Sequence, residues 1–131
     1  MTAWTRDELD RIGAADELLI TTLRADGTPR KPVIIWVVRH GDALYVRAGS
    51  GRASAWFRNV QARREGRIEA AGVNKEVAFV DAHADAAVVD GVDAAFRSKY
   101  GHYGEEWIEM LVSAVGRSTT TRLVPTSAAA R

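Results

Sequence analysis

Residues 44–66 (LYVRAGSGRASAWFRNVQARREG) combine arginines, serines and glycines at a spacing that suits the binding of an anion. Five of them offer hydrogen-bond donors or a close backbone approach: Arg47, Ser50, Gly51, Arg52 and Ser54. Guanidinium and hydroxyl groups donate to phosphate oxygens, and the free N–H groups of a helix's first turn add to such a site. The stretch matches neither a Walker A phosphate loop nor Gly-x-Gly-x-x-Gly. It is therefore a candidate phosphate site, and an ordinary glycine-rich connection between a strand and a helix is the competing interpretation.

Aromatic side chains accompany this basic stretch. Trp56 and Phe57 follow the glycines, and Trp36 and Tyr45 lie on the segments before them. Charge-assisted hydrogen bonds contribute about 1.5–3 kcal/mol each. Three or four of them, less the cost of immobilising the ligand, fall short of the ~8 kcal/mol of a micromolar site. We therefore expect a ligand that joins a phosphate to an apolar ring.

Positive charge is concentrated in the middle of the chain. Between Arg24 and Arg67 there are ten Lys or Arg residues and three Asp or Glu residues, although the formal net charge of the whole chain is +1. This excess favours an anionic ligand, unless the arginines are simply solvated. Arginines beside Trp56 and Phe57 would also suit single-stranded nucleic acid. Because the rest of the chain is acidic, we expect no nucleic-acid partner.

Length and composition exclude several classes of protein. The chain has 131 residues and no cysteine, which excludes disulfides, thiolate catalysis and Cys-ligated metals. The longest apolar run, Val33–Val38, is far shorter than the ~20 residues that span a bilayer. The first residues also lack the apolar segment of a signal peptide. We therefore expect one cytoplasmic domain over residues 1–131, with no membrane partner.

The hydrophobic pattern predicts an α+β fold that is mainly β. Thr5 and Glu8 have the spacing of a capping box, which predicts an N-terminal helix within residues 1–13. Six strands are predicted at residues 17–24, 33–38, 44–48, 67–73, 76–83 and 119–124, with helices at 54–66, 86–100 and 105–115 and a frayed tail at 126–131. Short strands joined by local turns favour an antiparallel sheet that curls into a small barrel to hide its edges.

The order of these elements resembles the flavin-binding split β-barrel superfamily, which includes pyridoxamine-phosphate oxidase-like proteins and deazaflavin-dependent reductases. The resemblance rests on the paired strands Pro32–Arg39 and Leu44–Ala48 and on the stretch Ala48–Asn59. Phe96–Gly101 and Thr120–Pro125 are similar to an uncharacterised branch of that superfamily, a domain of unknown function. The resemblance implies a six-stranded antiparallel split β-barrel with flanking helices. It also implies a homodimer that binds flavin mononucleotide (FMN) or a deazaflavin coenzyme between its subunits.

The resemblance further implies where that cofactor lies. The residues near its phosphate would be Arg47, Ser50, Gly51, Arg52 and Ser54. The residues beside its tricyclic ring would be Lys31, Val33 and Ile35 on the strand edge, with Trp56 adding apolar surface. The implied activity is hydride transfer to or from a small-molecule substrate, with no catalytic side chain identified. Since the substrate-binding His and Arg of the oxidases have no counterpart here, oxidation of pyridoxine phosphate is not expected. The alternative is a split-barrel binding domain without flavin.

Three further residues invite a functional interpretation that the pattern does not favour. His83 lies between Asp81 and Asp85 at a spacing that would suit a metal, but there is no second histidine nearby and we predict no metal site. His102 is interpreted as a turn and packing residue. Trp107 lies on the apolar stripe of its predicted helix, which predicts a buried core position.

Overall fold

The computed structural model of the protein describes residues 3–126, so residues 127–131 of the predicted tail lie outside the described residues. The strands are β1 (Leu18–Thr22), β2 (Val33–Ile35), β3 (Val38–His40), β4 (Ala43–Val46), β5 (Glu65–Ala70), β6 (Val73–Asp81) and β7 (Thr121–Pro125). The α-helices are α1 (Arg6–Ala14), α2 (Ala55–Ala62), α3 (Ala86–Tyr100), α4 (Glu105–Val112) and α5 (Ala114–Arg117), with 3-10 turns at Gly51–Ala53 and Gly101–Tyr103. This confirms the predicted α+β class.

The strands form one antiparallel sheet in the order β2-β1-β5-β6-β7-β4-β3. Its two edge strands belong to a single stretch of chain, residues 33–40, interrupted at Trp36 and Val37. Because one bent segment supplies both edges, the sheet curls into a split β-barrel. We predicted this segment as one strand over 33–38 within a six-stranded barrel. The bend divides it in two, so the prediction of six strands was wrong by one.

Side chains from α3 form hydrogen bonds with the backbone N–H and C=O groups at this bend. Residues between two strands lose their ladder partners, so their N–H and C=O groups need others. The Tyr100 hydroxyl accepts a hydrogen bond from the Val37 N–H at 3.3 Å and donates to the Asp16 carbonyl at 2.7 Å. The Lys99 ammonium donates to the Val37 carbonyl at 2.7 Å. The C-terminal end of α3 therefore fixes the conformation of the bent segment.

Two hydrophobic clusters lie on opposite sides of the barrel wall. The first fills the barrel and includes Ile20, Phe57, Ile68 and Phe79, all at most 1% exposed. The second packs α3 and α4 against β3 and β4: its members are Val38, Ala43, Tyr45, Val92, Phe96, Tyr100, Ile108 and Leu111. A strand that is apolar on both faces, such as the predicted strand over 33–38, needs packing partners on both sides. Val37 and Val38 have them, because Val37 belongs to the first cluster and Val38 to the second.

The N-terminus of α1 is fixed by hydrogen bonds of neighbouring residues. The predicted capping box is present: the Glu8 N–H donates to the Thr5 hydroxyl, and the Thr5 N–H donates to the Glu8 carboxylate. Just before the helix, the Trp4 indole N–H donates to the Leu123 carbonyl at 2.9 Å. Trp4 thus ties the chain before α1 to β7, and α1 itself packs near β3 and β4.

The predicted turn at Asn74-Lys75 was wrong. The chain instead reverses at Ala71 and Gly72, whose φ values of 50° and 83° are those of a tight hairpin turn, and β6 begins at Val73. The predicted helix over 54–66 also ends earlier, at Ala62, because the chain from Glu65 onward pairs with β1 as β5.

The predicted helix over 105–115 is divided into α4 and α5 at Ser113, whose hydroxyl accepts from the Gly116 N–H. Trp107, predicted to be buried, is 53% exposed. The buried face of α4 is formed by Ile108 and Leu111 instead, since these two residues face α3 and the barrel. Among the helices of residues 3–126, none has both the length and the apolar character needed to cross a membrane.

Candidate functional site

A cavity of about 460 Å³ lies between the barrel and the segment Gly101–Ser118, which we call the helical cap. The barrel side contributes Ile35, Trp36, Arg47, Gly49 and Trp56. The helical cap contributes Tyr103, Trp107, Met110 and Leu111. The lining is predominantly apolar and aromatic, and its size is within the range of small-molecule sites.

Three residues of the predicted cofactor site meet in this cavity. Ile35 comes from β2 beside the bend, Arg47 follows the end of β4, and Trp56 lies in the first turn of α2. The bend in the barrel wall and the strand-to-helix connection therefore converge on one place, as the split-barrel resemblance implied. Lys31 and Val33 lie outside the cavity lining, on the exposed chain that leads into β2.

Arg47 is held by the protein itself. Its side chain is fully buried and forms an ion pair with Asp93 of α3. The guanidinium also donates to the Thr120 hydroxyl at 2.9 Å, to the Leu111 carbonyl at 3.0 Å and to the Val89 carbonyl at 2.9 Å. Burial lowers the pKa of this guanidinium, and Asp93 opposes that shift. With four of its five N–H donors in use, Arg47 has little capacity left for a ligand.

The loop after β4 is packed beneath the helical cap. Gly51 adopts a φ of +82°, and a Cβ there would meet the Val115 side chain at 2.3 Å, so only glycine fits. A Cβ on Gly49 would lie 3.3 Å from Met110. Arg52 donates to the Ser118 carbonyl at 2.7 Å, and its guanidinium lies 5.2 Å from the centre of the Phe57 ring. The loop thus connects the barrel to the helical cap.

The two serines of the predicted phosphate site lie at the ends of short helical elements. Ser54 precedes α2 without bonding its hydroxyl to that helix's N–H groups, and Ser50 precedes the 3-10 turn in the same way. Their hydroxyls are therefore not used as helix caps, where serine is usually stabilising. Arg52 is exposed and donates from one of its five N–H groups. The loop keeps donors available, and its role in binding phosphate stays a prediction.

Sequence analysis named Trp36 as apolar surface for a ring, but missed the two tyrosines that complete this aromatic wall of the cavity. The Trp36 ring stacks on the Tyr100 ring, with centroids 4.0 Å apart and planes within 3°. Tyr103 lies 5.4 Å from Trp36, and its hydroxyl donates to the Asp16 carboxylate at 2.8 Å, which raises the pKa of the phenol. The sequence contained one signal of this arrangement: Tyr100 and Tyr103 flank a Gly-bounded turn that brings them together.

Lys99 lies beneath the same aromatic cluster. Its ammonium is 4.9 Å from the centre of the Tyr100 ring, close enough for a cation–π contact. Burial lowers the pKa of Lys99 to about 8, although the negative charge of Asp16 opposes the shift. This amine therefore loses its proton near physiological pH while remaining bonded to the bent segment.

Other parts of the molecule offer weaker candidates. Within residues 3–126, no group of three or more His, Cys, Asp or Glu side chains is placed to hold a metal ion. A second cavity of about 680 Å³ lies on the barrel beside Thr21, Gly66 and Arg67, and its lining is much more polar. His83 lies in a groove of about 360 Å³ with Arg117, which is itself paired with Asp90.

Several solved structures share this architecture at low sequence identity. The heme storage protein HutZ from Vibrio cholerae matches with a TM-score of 0.66 and 14% identity, over 92% of this chain and 89% of its own. An F420 reductase matches with a TM-score of 0.52 and 16% identity, over 89% and 91%. A NimC/NimA family protein from Clostridium acetobutylicum matches with a TM-score of 0.55 and 15% identity, over 93% and 81%. The protein thus has the split β-barrel fold that these structures share.

Its sequence places the chain in one family within that class. The chain belongs to the family described as an uncharacterized protein conserved in bacteria (DUF2255), whose sequence profile matches residues 8–123. No curated protein matches the chain. The expected split-barrel fold is therefore confirmed, and so is membership of an uncharacterised family.

Proposed function

We propose that the protein is an oxidoreductase that binds FMN or a deazaflavin coenzyme in the cavity beneath the helical cap and transfers hydride to or from a small molecule. The main support is that Ile35, Trp56 and the Gly49 backbone, from three separate parts of the barrel, line one apolar cavity beside the serine- and arginine-containing loop. A flavin-type cofactor has a planar tricyclic ring, which would suit the apolar cavity, and an anionic phosphate tail, which would suit the loop.

The apolar part of the cavity fits the ring. Its volume of about 460 Å³ is bounded by flat aromatic side chains, and Gly49 presents backbone without a side chain. Ile35 follows the exposed residues Val33 and Ile34, so the ring would lie along this strand edge. We further propose that Lys31 and Val33 contact the cofactor from the exposed part of this edge.

The loop after β4 fits the phosphate less completely. Ser50, Ser54 and the exposed Arg52 supply donors, and the first-turn N–H groups of α2 add positive potential. Gly51 is buried against Val115, so we assign it the conformation of the loop rather than contact with the phosphate. The Arg47 guanidinium is directed toward Asp93. We therefore assign Arg47 the role of anchoring the helical cap beside the cofactor, and we assign Arg52 the larger part in binding the phosphate.

When bound, such a cofactor supplies the hydride chemistry, and the protein's residues position it and exclude water. Trp36 and Trp56 provide flat surfaces that orient a ring system. The helical cap covers the cavity from the side opposite the barrel. Among residues 3–126, the ionisable side chains lining the cavity are Arg47 and Tyr103, and both are already bonded within the protein, to Asp93 and to Asp16.

We also propose that the working unit is a homodimer, with the exposed β2 edge at the subunit interface. Val33 and Ile34 are 40% and 60% exposed, which is unusual for two consecutive large apolar residues on an edge strand. A second subunit over this edge would complete the cofactor site and cover the apolar surface.

A non-catalytic split-barrel binding domain is the second candidate. The observation that favours it is the internal use of the predicted anion ligands, since Arg47 bonds to Asp93 and Arg52 bonds to the Ser118 carbonyl. In this case the arginines stabilise the fold, and the loop is a structural connection.

Absorbance and titration distinguish the two candidates. We expect purified protein either to carry flavin absorbance or to bind added FMN or deazaflavin coenzyme, with hemin as a third titrant because one structural neighbour is a heme storage protein. Protein that is colourless and binds neither flavin nor deazaflavin would contradict the proposal.

The double variant Arg52→Ala/Ser54→Ala tests the assignment of the loop. Loss of these donors is expected to weaken cofactor affinity at least tenfold, equivalent to about 1.4 kcal/mol. Arg58→Ala is the matched control, because Arg58 is an exposed arginine of α2, the helix that follows the loop. Circular dichroism checks that both variants are folded. Equal titration curves for the parent and the double variant would show that the loop does not bind the phosphate.

A further inference from the structure

The helical cap presents large apolar side chains at the mouth of the cavity. Tyr103, Trp107 and Met110 line the cavity and are nevertheless 45%, 53% and 45% exposed. Trp107 and Met110 are three residues apart on α4 and so share one face of the helix. A cluster of exposed apolar side chains around a cavity marks a binding surface more often than a packing defect.

This surface is built of rings whose orientation is fixed. Trp36 is stacked against the buried Tyr100, and Tyr103 is tied to Asp16 by its hydroxyl. Preoriented aromatic walls favour a ligand that is itself flat, because stacking adds to the burial of apolar area.

The charge around the mouth disfavours an anion. Among the described residues 3–126, the only charged residue lining the cavity is Arg47, and its charge is compensated by Asp93. Three exposed carboxylates, those of Glu105, Glu106 and Glu109, lie on α4 next to Trp107 and Met110. None of the three forms an ion pair within the part of the chain that the structure describes. The local potential at the mouth is therefore negative.

We infer that Tyr103, Trp107 and Met110 form the substrate side of the site, and that the substrate is a planar aromatic molecule without negative charge. This inference rests on the proposed function, since it assigns the substrate class of that same site. It gives Trp107 the role of a specificity-determining residue and leaves the loop after β4 to the cofactor.

Three probes of similar size and different charge test the substrate class: quinoline, N-methylquinolinium and quinoline-6-carboxylate at neutral pH. The four tryptophans provide the readout in a ¹H–¹⁵N spectrum, because three of them line the cavity and Trp4 is buried elsewhere, bonded to Leu123. We expect the neutral and cationic probes to shift the indole signals of Trp36, Trp56 and Trp107 and to leave Trp4 unchanged. The carboxylate is expected to bind at least tenfold more weakly. Equal affinity for the carboxylate, or no shift with any probe, would overturn the inference.

Two variants locate the binding surface. Trp107→Ala is expected to weaken binding of the neutral probe at least fivefold and to leave FMN affinity within twofold of the parent. Val80→Ala is the matched control, since Val80 is an exposed apolar residue on β6, outside the cavity lining and the helical cap. If Trp107→Ala changes the molar mass in light scattering and the probes do not bind, a second copy covers this face and the inference is wrong.

The same titrations separate this inference from the proposed function. Probe binding without binding of FMN or deazaflavin would support the ligand class of the cavity and contradict the cofactor proposal. FMN binding with no effect of the probes on the cap tryptophans would support the cofactor proposal and contradict the substrate side assigned here.

Discussion

The side chain of Arg47, assigned to a phosphate site from the sequence, is bonded to other parts of the chain in the folded protein. The sequence placed it beside a glycine-rich loop, where an arginine suits a phosphate. In the folded protein it joins the end of β4 to α3 through Asp93 and to the end of α4 through the Leu111 carbonyl. No local pattern could reveal this pair, because Asp93 is distant in sequence and reaches Arg47 only when α3 packs on the barrel.

Arg47→Ala is expected to destabilise the protein by about 3–5 kcal/mol, because Asp93 loses its buried partner and keeps only the more exposed Arg117 at 3.4 Å, and because two backbone carbonyls lose their donor. Arg67→Ala is the control, since Arg67 pairs with Glu76 on the surface and such pairs contribute about 0–1 kcal/mol. Urea denaturation of both variants measures the free energy of unfolding. A loss below 1 kcal/mol in Arg47→Ala would mean that the buried network contributes little to folding.

Because the amine of Lys99 is partly buried, we expect the stability of the protein to depend on pH. Its pKa is lowered from 10.5 to about 8 by burial, so the folded state binds its proton less tightly than the unfolded state. The penalty for the buried charge is complete below about pH 8 and is relieved as the pH rises toward the unfolded value. The free energy of unfolding should therefore increase between about pH 7 and pH 9.5.

Urea midpoints at those two pH values measure this effect in the parent and in Lys99→Met. The substitution removes the titrating amine, while the Tyr100 hydroxyl still lies 3.1 Å from the Val37 carbonyl. We expect the increase to vanish in Lys99→Met and to persist in Lys31→Met, whose lysine is exposed. An increase that is equal in all three proteins would assign the titration to another group.

At the scale of elements, the bend between β2 and β3 is the feature on which the cavity depends. It places Ile35 and Trp36 at the mouth while Val37 and Val38 remain in the core. The Tyr100 hydroxyl is the group that satisfies the backbone at this point, so it links the end of α3 to the barrel wall.

Tyr100→Phe is expected to lower the free energy of unfolding by about 1–3 kcal/mol, the cost of leaving a buried backbone donor unsatisfied. The matched substitution Tyr103→Phe removes an exposed hydroxyl and should cost clearly less than Tyr100→Phe. Hydrogen exchange of the Val37 amide adds a local test, and it should accelerate only in Tyr100→Phe. Equal losses in the two variants would show that the bend does not need this hydroxyl.

The elements themselves were predictable to different degrees. The capping box of α1 and the Gly41 hairpin depend on neighbouring residues, and both are present in the structure. The bend at Trp36 was not predictable, because every residue of that apolar run favours a continuous strand. The turn at Ala71-Gly72 was missed because Asn74 is the more usual turn residue, and pairing of β5 with β6 overrode that preference.

At the scale of the whole molecule, the sequence brought together three barrel-side residues of the candidate site and missed the contribution of the helical cap. Ile35, Arg47 and Trp56 line one cavity, and their part in binding a cofactor stays a prediction. Trp107 was assigned to the core because it lies on the apolar stripe of its helix. How a helix rotates against a barrel is decided by tertiary packing, here by Ile108 and Leu111, and the sequence pattern leaves that choice open.

The proposed homodimer can be tested by measuring the mass of the protein in solution. Light scattering of the purified protein should give twice the 14.3 kDa mass of one chain. Ile34→Glu places a carboxylate at the most exposed apolar position of β2 and should yield a monomer, because burying an unpaired charge at an interface is costly. Since Ile34 is 60% exposed in a single chain, the variant should fold with little change in its melting temperature.

Val80→Glu separates this effect from added charge alone. Val80 is 44% exposed on β6, which β1 and β5 separate from β2 in the sheet. If β2 forms the interface, Val80→Glu stays dimeric, and Ile34→Glu loses cofactor affinity together with its partner, because each site would be completed by the second subunit. A parent protein that is already monomeric would contradict the dimer, as would dissociation caused equally by both substitutions.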